Sequence, residues 1–175
     1  MNTKRMMTRL SAMLLLLALA FCITACKEDT DPSKDEMPSE SLGMYTVKYQ
    51  DTAIELGKDA TAVLTALGEP SNKQYVASCG EGAGDQWRYT YSSIYLFTVK
   101  TDAGETVDAV ALRDDIAKTG KGITVGSTEA EMIAAYGDPT AKQGNKCRYT
   151  KDSYTMEFVL DDTGTVKSVE LRVEN

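Results

Sequence analysis

The chain has 175 residues, with 26 Asp+Glu against 19 Lys+Arg and a formal charge of −7 at pH 7. That balance argues against nucleic acid as a partner and against electrostatic adhesion to anionic lipid. There is no histidine, which removes the commonest general base and metal ligand.

Residues 1–25 read as a processing signal rather than as part of a fold. Lys4, Arg5 and Arg9 make a basic start, and Leu10 to Ala20 is an apolar run too short for a comfortable membrane span. "ITAC", Ile23 to Cys26, follows. It resembles the lipobox of bacterial lipoproteins, which implies cleavage before Cys26 and lipidation of that cysteine. An uncleaved anchor or an ordinary secretory peptide is the alternative. The expected address is extracytoplasmic and lipid-anchored, on a cell membrane or an outer membrane.

Removing residues 1–25 takes away three cations and no acid, which moves the formal charge from −7 to −10. Residues 26–43 are expected to be a disordered tether. Lys27 to Gly43 holds six acids, two lysines and two prolines, and buries too little apolar surface to fold. A flexible chain of that length reaches about 20–25 Å. Residues 44–175 suffice for one domain. Two cysteines remain there, Cys79 and Cys147. An exported chain meets a disulfide-permissive space, so the two are a disulfide candidate, with two free buried thiols as the alternative.

Within the domain one element occurs twice. "LGKDATAVLTALGEP" ends at Pro70 and "VGSTEAEMIAAYGDP" at Pro139. Gly57, Gly68 and Pro70 match Gly126, Gly137 and Pro139. Between the glycines, Asp59 and Thr128 read as N-caps, Thr128 with Glu131 as a capping box. Val63, Leu64 and Leu67, and Met132, Ile133 and Tyr136, follow at helical spacing. The glycines end each helix and the prolines forbid its continuation.

Strands follow each proline. Arg88-Tyr89-Thr90 matches Arg148-Tyr149-Thr150 at an offset of 60 residues. Cys79 to Asp85 reads as a loop in the first copy. Ile94 to Lys100 and Tyr154 to Leu160 are the next strands. Their register is open: Phe97 and Val99 match Phe158 and Leu160, or lie one residue away, which exchanges the faces. Turns at Asp102 to Gly104 and Asp162 to Gly164 lead to last strands matched at 59, Val107, Val110 and Leu112 against Val166, Val169 and Leu171. The expected fold is α+β: a tandem repeat of helix plus antiparallel β-meander, over 44–113 and 121–175, with both helices on one face of a shared sheet. Met44 to Gln50 is expected to add an edge strand, and Asp114 to Lys121 to link the copies.

The Gly-x(10)-Gly-x-Pro element followed by the Trp87-x-Tyr89 strand and a glycine-closed hairpin resembles the SmpA/OmlA and beta-lactamase-inhibitor-protein-like (BLIP-like) superfamily. It also resembles uncharacterised lipoproteins of Firmicutes-type bacteria. The resemblance covers about residues 50–173 and implies a fold and no particular activity.

Motifs that carry chemistry are few. There is no nucleophile elbow, phosphate loop or dinucleotide fingerprint. Asp114-Asp115 and Asp161-Asp162 lack the alternating carboxylates of a calcium loop and read as solvated turn acids. Cys79 has no histidine to activate it. No catalytic residue, metal or cofactor is assigned. The remaining signal is aromatic. Trp87, Tyr91 and Tyr95 are the candidate binding surface, of the composition that interfaces favour. Tyr89 and Tyr149 read as core, and Trp87 shares their parity. The expected function is a membrane-anchored, non-catalytic protein-binding or assembly module with a protein partner. An envelope enzyme or accessory subunit is the alternative.

Overall fold

The computed structural model describes residues 43–76, 85–102 and 104–174. The signal, the tether up to Leu42 and Cys79 lie outside the described residues. The elements in chain order are β1 (Thr46–Tyr49), β2 (Thr52–Glu55), α1 (Ala60–Leu67), β3 (Asn72–Val76), β4 (Asp85–Thr90), β5 (Ile94–Thr101), β6 (Gly104–Leu112), β7 (Lys118–Thr119), α2 (Glu129–Tyr136), β8 (Ala141–Gln143), β9 (Lys146–Lys151), β10 (Tyr154–Leu160) and β11 (Val166–Val173). The class is α+β with antiparallel strands, as expected.

Both helices begin and end on the residues that the sequence marks. Asp59 Oδ1 accepts from the Thr61 amide at 2.9 Å. Thr128 Oγ1 accepts from the Glu131 amide at 3.2 Å, and Glu131 Oε2 accepts from the Thr128 amide at 2.7 Å, a closed capping box. Gly68 and Gly137 close the helices at φ 69° and 78°. The entry to each helix is stitched to a strand by the same two backbone bonds. Gly57 N–H donates to Val107 and Val107 N–H to Lys58; Gly126 N–H donates to Val166 and Val166 N–H to Ser127.

Eight strands form one sheet in the order β3-β4-β5-β6-β11-β10-β9-β8. Two buried rows cross it. Tyr89, Leu96, Val110, Leu171, Met156 and Tyr149 pair in succession across six strands. Ile94, Leu112, Val169, Phe158 and Cys147 make the second row. Both rows face one side, because their members alternate along each strand with residues of the other side, which are mostly partly exposed, Ala109 and Thr155 being buried. The helices cover that side: the Tyr91 hydroxyl donates to the Gly68 carbonyl at 3.3 Å and the Tyr149 hydroxyl to the Gly137 carbonyl at 2.8 Å.

These pairings revise the strand offsets. Tyr91, not Tyr89, takes the place of Tyr149, an offset of 58. Leu96 and Phe158 both stand opposite matched valines, Val110 and Val169, which sets the next strands at 62 and closes the open register. The hairpin turns differ in length between the halves, so the first strands match at 58 in place of 60, an even shift that keeps each side chain on its face. The next strands match at 62 in place of the 61 that sets Phe97 against Phe158, an odd shift that puts those two rings on opposite faces.

Met44 to Gln50 does not extend this sheet. β1 pairs with β2 and, through Val47 and Lys48, with β7, making a separate three-stranded sheet β2-β1-β7. The segment expected as a linker therefore contributes a strand. Val47 and Ile54 are fully buried in the same core as the two rows. β1 spans the covered side: Tyr45 stacks on Tyr154 at 5.5 Å, and Tyr49 bonds Ser92 at 2.8 Å beside the Tyr91 ring.

Gly57 illustrates how tightly the entries are held. Its φ is 74°, and a Cβ there would stand 3.0 Å from the Tyr154 hydroxyl. Gly57→Ala is expected to cost about 1–2 kcal/mol for the left-handed backbone alone. Urea denaturation measures it, and an unchanged midpoint would refute the placement.

Candidate functional site

Two places stand out, one on each side of the eight-stranded sheet. On the covered side a groove of about 830 Å³ runs between α1 and β3, a size suited to small ligands. Leu64, Thr65, Lys73, Tyr89, Tyr91 and Glu105 line it. The Tyr89 hydroxyl donates to Glu105 at 2.7 Å, and the buried Thr98 hydroxyl donates to the same oxygen at 2.5 Å. Lys73 Nζ lies 4.8 Å from both the Trp87 and Tyr89 rings.

The second half makes the same charge pair differently. Lys142, matched to Lys73, bonds Glu129 at 2.5 Å. Ala60 stands where Glu129 would be, and Glu105 stands where Gly164 is, the glycine beside the Glu129 carboxylate. Here the acid sits on the hairpin rather than on the helix, and the Tyr89 phenol lies between it and the lysine.

That chain of groups offers little to catalysis. The bond to Tyr89 pushes Lys73 up, keeping it charged, and burial pushes the Tyr89 phenol up. Both shifts disfavour the deprotonated form that a base or nucleophile needs. Ser71 and Thr65 spend their hydroxyls on the carbonyls of Thr90 and Thr61. Asp161, weighed as a calcium ligand, accepts from the Thr163 amide and hydroxyl and the Thr165 amide, which holds it below the usual carboxylate range. Among the described residues no acidic cluster is arranged to hold a metal.

The other side of the sheet carries no described helix or strand. Its residues are the alternates of the buried rows. Tyr95, Phe97, Ala109 and Ala111 form an apolar strip on β5 and β6. Around it stand Arg88, Arg113, Lys146, Arg148 and Arg172, with Asp108, Glu157 and Glu170 among them. Arg148 holds Glu157 below its ordinary range by a 2.8 Å bond.

The expected aromatic surface thus divides. Tyr95 lies on the open side. Tyr91 is core, 5% exposed. Trp87 is on the covered side beyond the helix, half-buried, with Tyr75 edge-on at 5.5 Å. Tyr89 and Tyr149 are core as expected, Tyr149 pushed up to about 12 by burial. Sequence reasoning missed Phe97, whose parity was open, and it matched Arg88 with Arg148 and Arg113 with Arg172 without giving the arginines a face or a role. Cys147 is a free thiol in the core, and burial pushes its pKa up.

Asp108 is a partly buried acid of the open side. It sits at the bulge where the β5–β6 register shifts, and Gln86 Nε2 donates to it at 2.8 Å. Burial raises its pKa in the folded state. A raised carboxyl contributes stability below its unfolded pKa, and that contribution is lost as pH rises through the folded value. Asp108→Asn, which keeps an acceptor for Gln86, is therefore expected to raise Tm at pH 7, the gain disappearing near about pH 3. A gain that is equal at both pH values would show that charge is not the cause.

No family model matches the chain, and no curated protein matches it. A solved structure is similar to it, that of a DUF4309 family protein (YjgB) from Bacillus subtilis, a Firmicutes bacterium. The two are 16% identical over 69% of this chain and 82% of that one, at a TM-score of 0.39. Likeness at that level carries no register, site or activity from one chain to the other. None of these comparisons meets SmpA/OmlA proteins or the beta-lactamase inhibitor.

Proposed function

We propose that this chain is a membrane-anchored extracytoplasmic lipoprotein acting as a non-catalytic protein-binding or assembly module. It is built, in this reading, as a BLIP-like tandem repeat. The recurring helix-entry bonds at Gly57 and Gly126 and the recurring tyrosine-to-glycine bonds at Gly68 and Gly137 support the duplication. The observation that carries the function is the open sheet side. Tyr95 and Phe97 lie partly exposed beside Ala111 and the buried Ala109, with arginines around them. Aromatics and arginine are the residues that interfaces concentrate. On the covered side Tyr89, Tyr91 and Tyr149 are in the core, while the half-buried Trp87 and the exposed Tyr75 lie together at its edge.

The test is photo-crosslinking in the producing cell, with a photoreactive residue at Phe97 and, as control, at Lys118 in the small sheet. A discrete protein adduct from position 97 and none from position 118 is expected. No adduct from position 97 in a folded, membrane-bound chain would overturn the reading.

A further inference from the structure

The two halves of the open side hold matched cations, but two carboxylates of the second half have no acidic counterpart in the first. Leu112 and Leu171 occupy matched places, opposite Ile94 and Met156, so Arg113 and Arg172, which follow them, are matched as well. Arg88 and Lys146 are matched by the offset that relates Tyr91 to Tyr149. In the second half these cations meet carboxylates. Lys146 lies 3.3 Å from Glu157, which also takes Arg148 at 2.8 Å, and Arg172 lies 3.4 Å from Glu170 and 3.1 Å from Glu174.

In the first half Tyr95 stands in the place of Glu157, and Ala111 in the place of Glu170. The guanidiniums of Arg88 and Arg113 flank the Tyr95 ring, at 5.2 and 4.7 Å from its centre. Arg88 Nη2 donates to the neutral Gln74 at 2.6 Å, and Arg113 Nη1 donates to the Tyr91 and Ser92 carbonyls. Among the described residues no carboxylate pairs with either arginine, and Arg88 Nε is buried without a partner.

We propose that Arg88 and Arg113, with Tyr95 between them and Ala111 beside it, receive an acidic side chain from a partner protein. This rests on the open side being the docking side, and names what docks there. The second half serves as an internal template: Glu157 and Glu170 occupy the places that the first half leaves to a ring and a methyl group, while Glu174 corresponds to Asp115, for which no ion pair with Arg113 is seen among the described residues. Ala111 stands between Tyr95 on one neighbouring strand and Glu170 on the other. All four arginines of residues 26–175, Arg88, Arg113, Arg148 and Arg172, stand on this side of an acidic chain. Guanidinium's planar fork matches carboxylate geometry where a lysine ammonium does not. A membrane surface is the poorer fit, because segments that bind anionic lipid are runs of unopposed cations, whereas Asp108, Glu157 and Glu170 are interspersed here.

Calorimetry with a blocked hexaglutamate peptide at low ionic strength tests this, using the purified chain carrying Cys26→Ser so that no lipid anchor takes part. Hexaglutamine is the control peptide. Hexaglutamate is expected to bind and hexaglutamine not to. Arg88→Gln or Arg113→Gln should weaken binding at least tenfold. Tyr95→Glu, which restores the pattern of the second half, should abolish binding with Tm kept or raised, and Arg148→Gln should leave it unchanged. Three results would overturn the proposal: no preference for hexaglutamate, equal weakening by Arg148→Gln, or tighter binding to vesicles of phosphatidylglycerol and phosphatidylethanolamine through the same two arginines. Each leaves the crosslinking result at Phe97 standing, so this inference and the docking reading fail separately.

Discussion

Phe158→Ala is expected to lower the unfolding free energy by about 3–5 kcal/mol. The ring is fully buried and stands in register between Val169 and Cys147. The rings of Tyr136 and Tyr149 each lie 5.8 Å from it. Tyr136 is the last residue of α2 and Tyr149 bonds the glycine that follows that helix. Removing the phenyl group therefore empties the seat on which α2 rests, and both neighbouring phenols keep polar partners that resist collapse into the gap. Against a typical stability of about 5–15 kcal/mol, such a loss takes a large share. Phe97→Ala, one strand position away from the buried set and half-exposed, is the internal control and should cost well under half as much. Guanidinium denaturation of the two variants side by side decides it. Equal losses would show that the two sides of the sheet are not as different as described.

Cys26→Ser is expected to remove the lipid-labelled mature species altogether. Each buried methylene of an acyl chain contributes about 0.8 kcal/mol, so a pair of chains holds a protein on a bilayer and their loss frees it. The domain's acidic charge supplies no substitute attraction. Palmitate labelling, membrane fractionation and the mass of the processed chain give three readings. If all three are unchanged in the variant, Cys26 is not the anchor.

The helix boundaries were legible because they rest on local chemistry. Asp59, Thr128 and Glu131 cap through their own side chains, and Gly68 and Gly137 supply a backbone conformation that other residues resist. Burial was legible only in part: Tyr89 and Tyr149 are core, as their apparent repeat equivalence suggested although they are not each other's counterparts, whereas Tyr91, of the same parity and expected on a surface, is core as well. Register was not legible. The shared Arg-Tyr-Thr string suggested an offset of 60, whereas hairpin lengths set the real offsets, and hairpin length is decided by pairing across strands. The fate of Met44 to Gln50 depended in the same way on distant partners, Lys118 and Thr119. At the open side, Tyr95 was visible as an aromatic residue. The missing carboxylates became visible only once Glu157 and Glu170 could be set against Tyr95 and Ala111 in space.

The strand order has a bearing on how the chain acquires its shape. In the eight-stranded sheet every neighbouring pair is also a neighbour along the chain, except β6 with β11. Local hairpins of that kind form with little loop-closure cost. As the polypeptide emerges from its amino end, the β3-to-β6 meander can assemble at once and then present β6 as a bare rim. Its mate, β11, is the last strand in chain order, yet its place is in the middle of the sheet, between β6 and β10. Until Val166–Val173 arrives, two half-sheets wait with complementary unpaired rims, and the same backbone that later joins them offers each a temporary template for a stray strand.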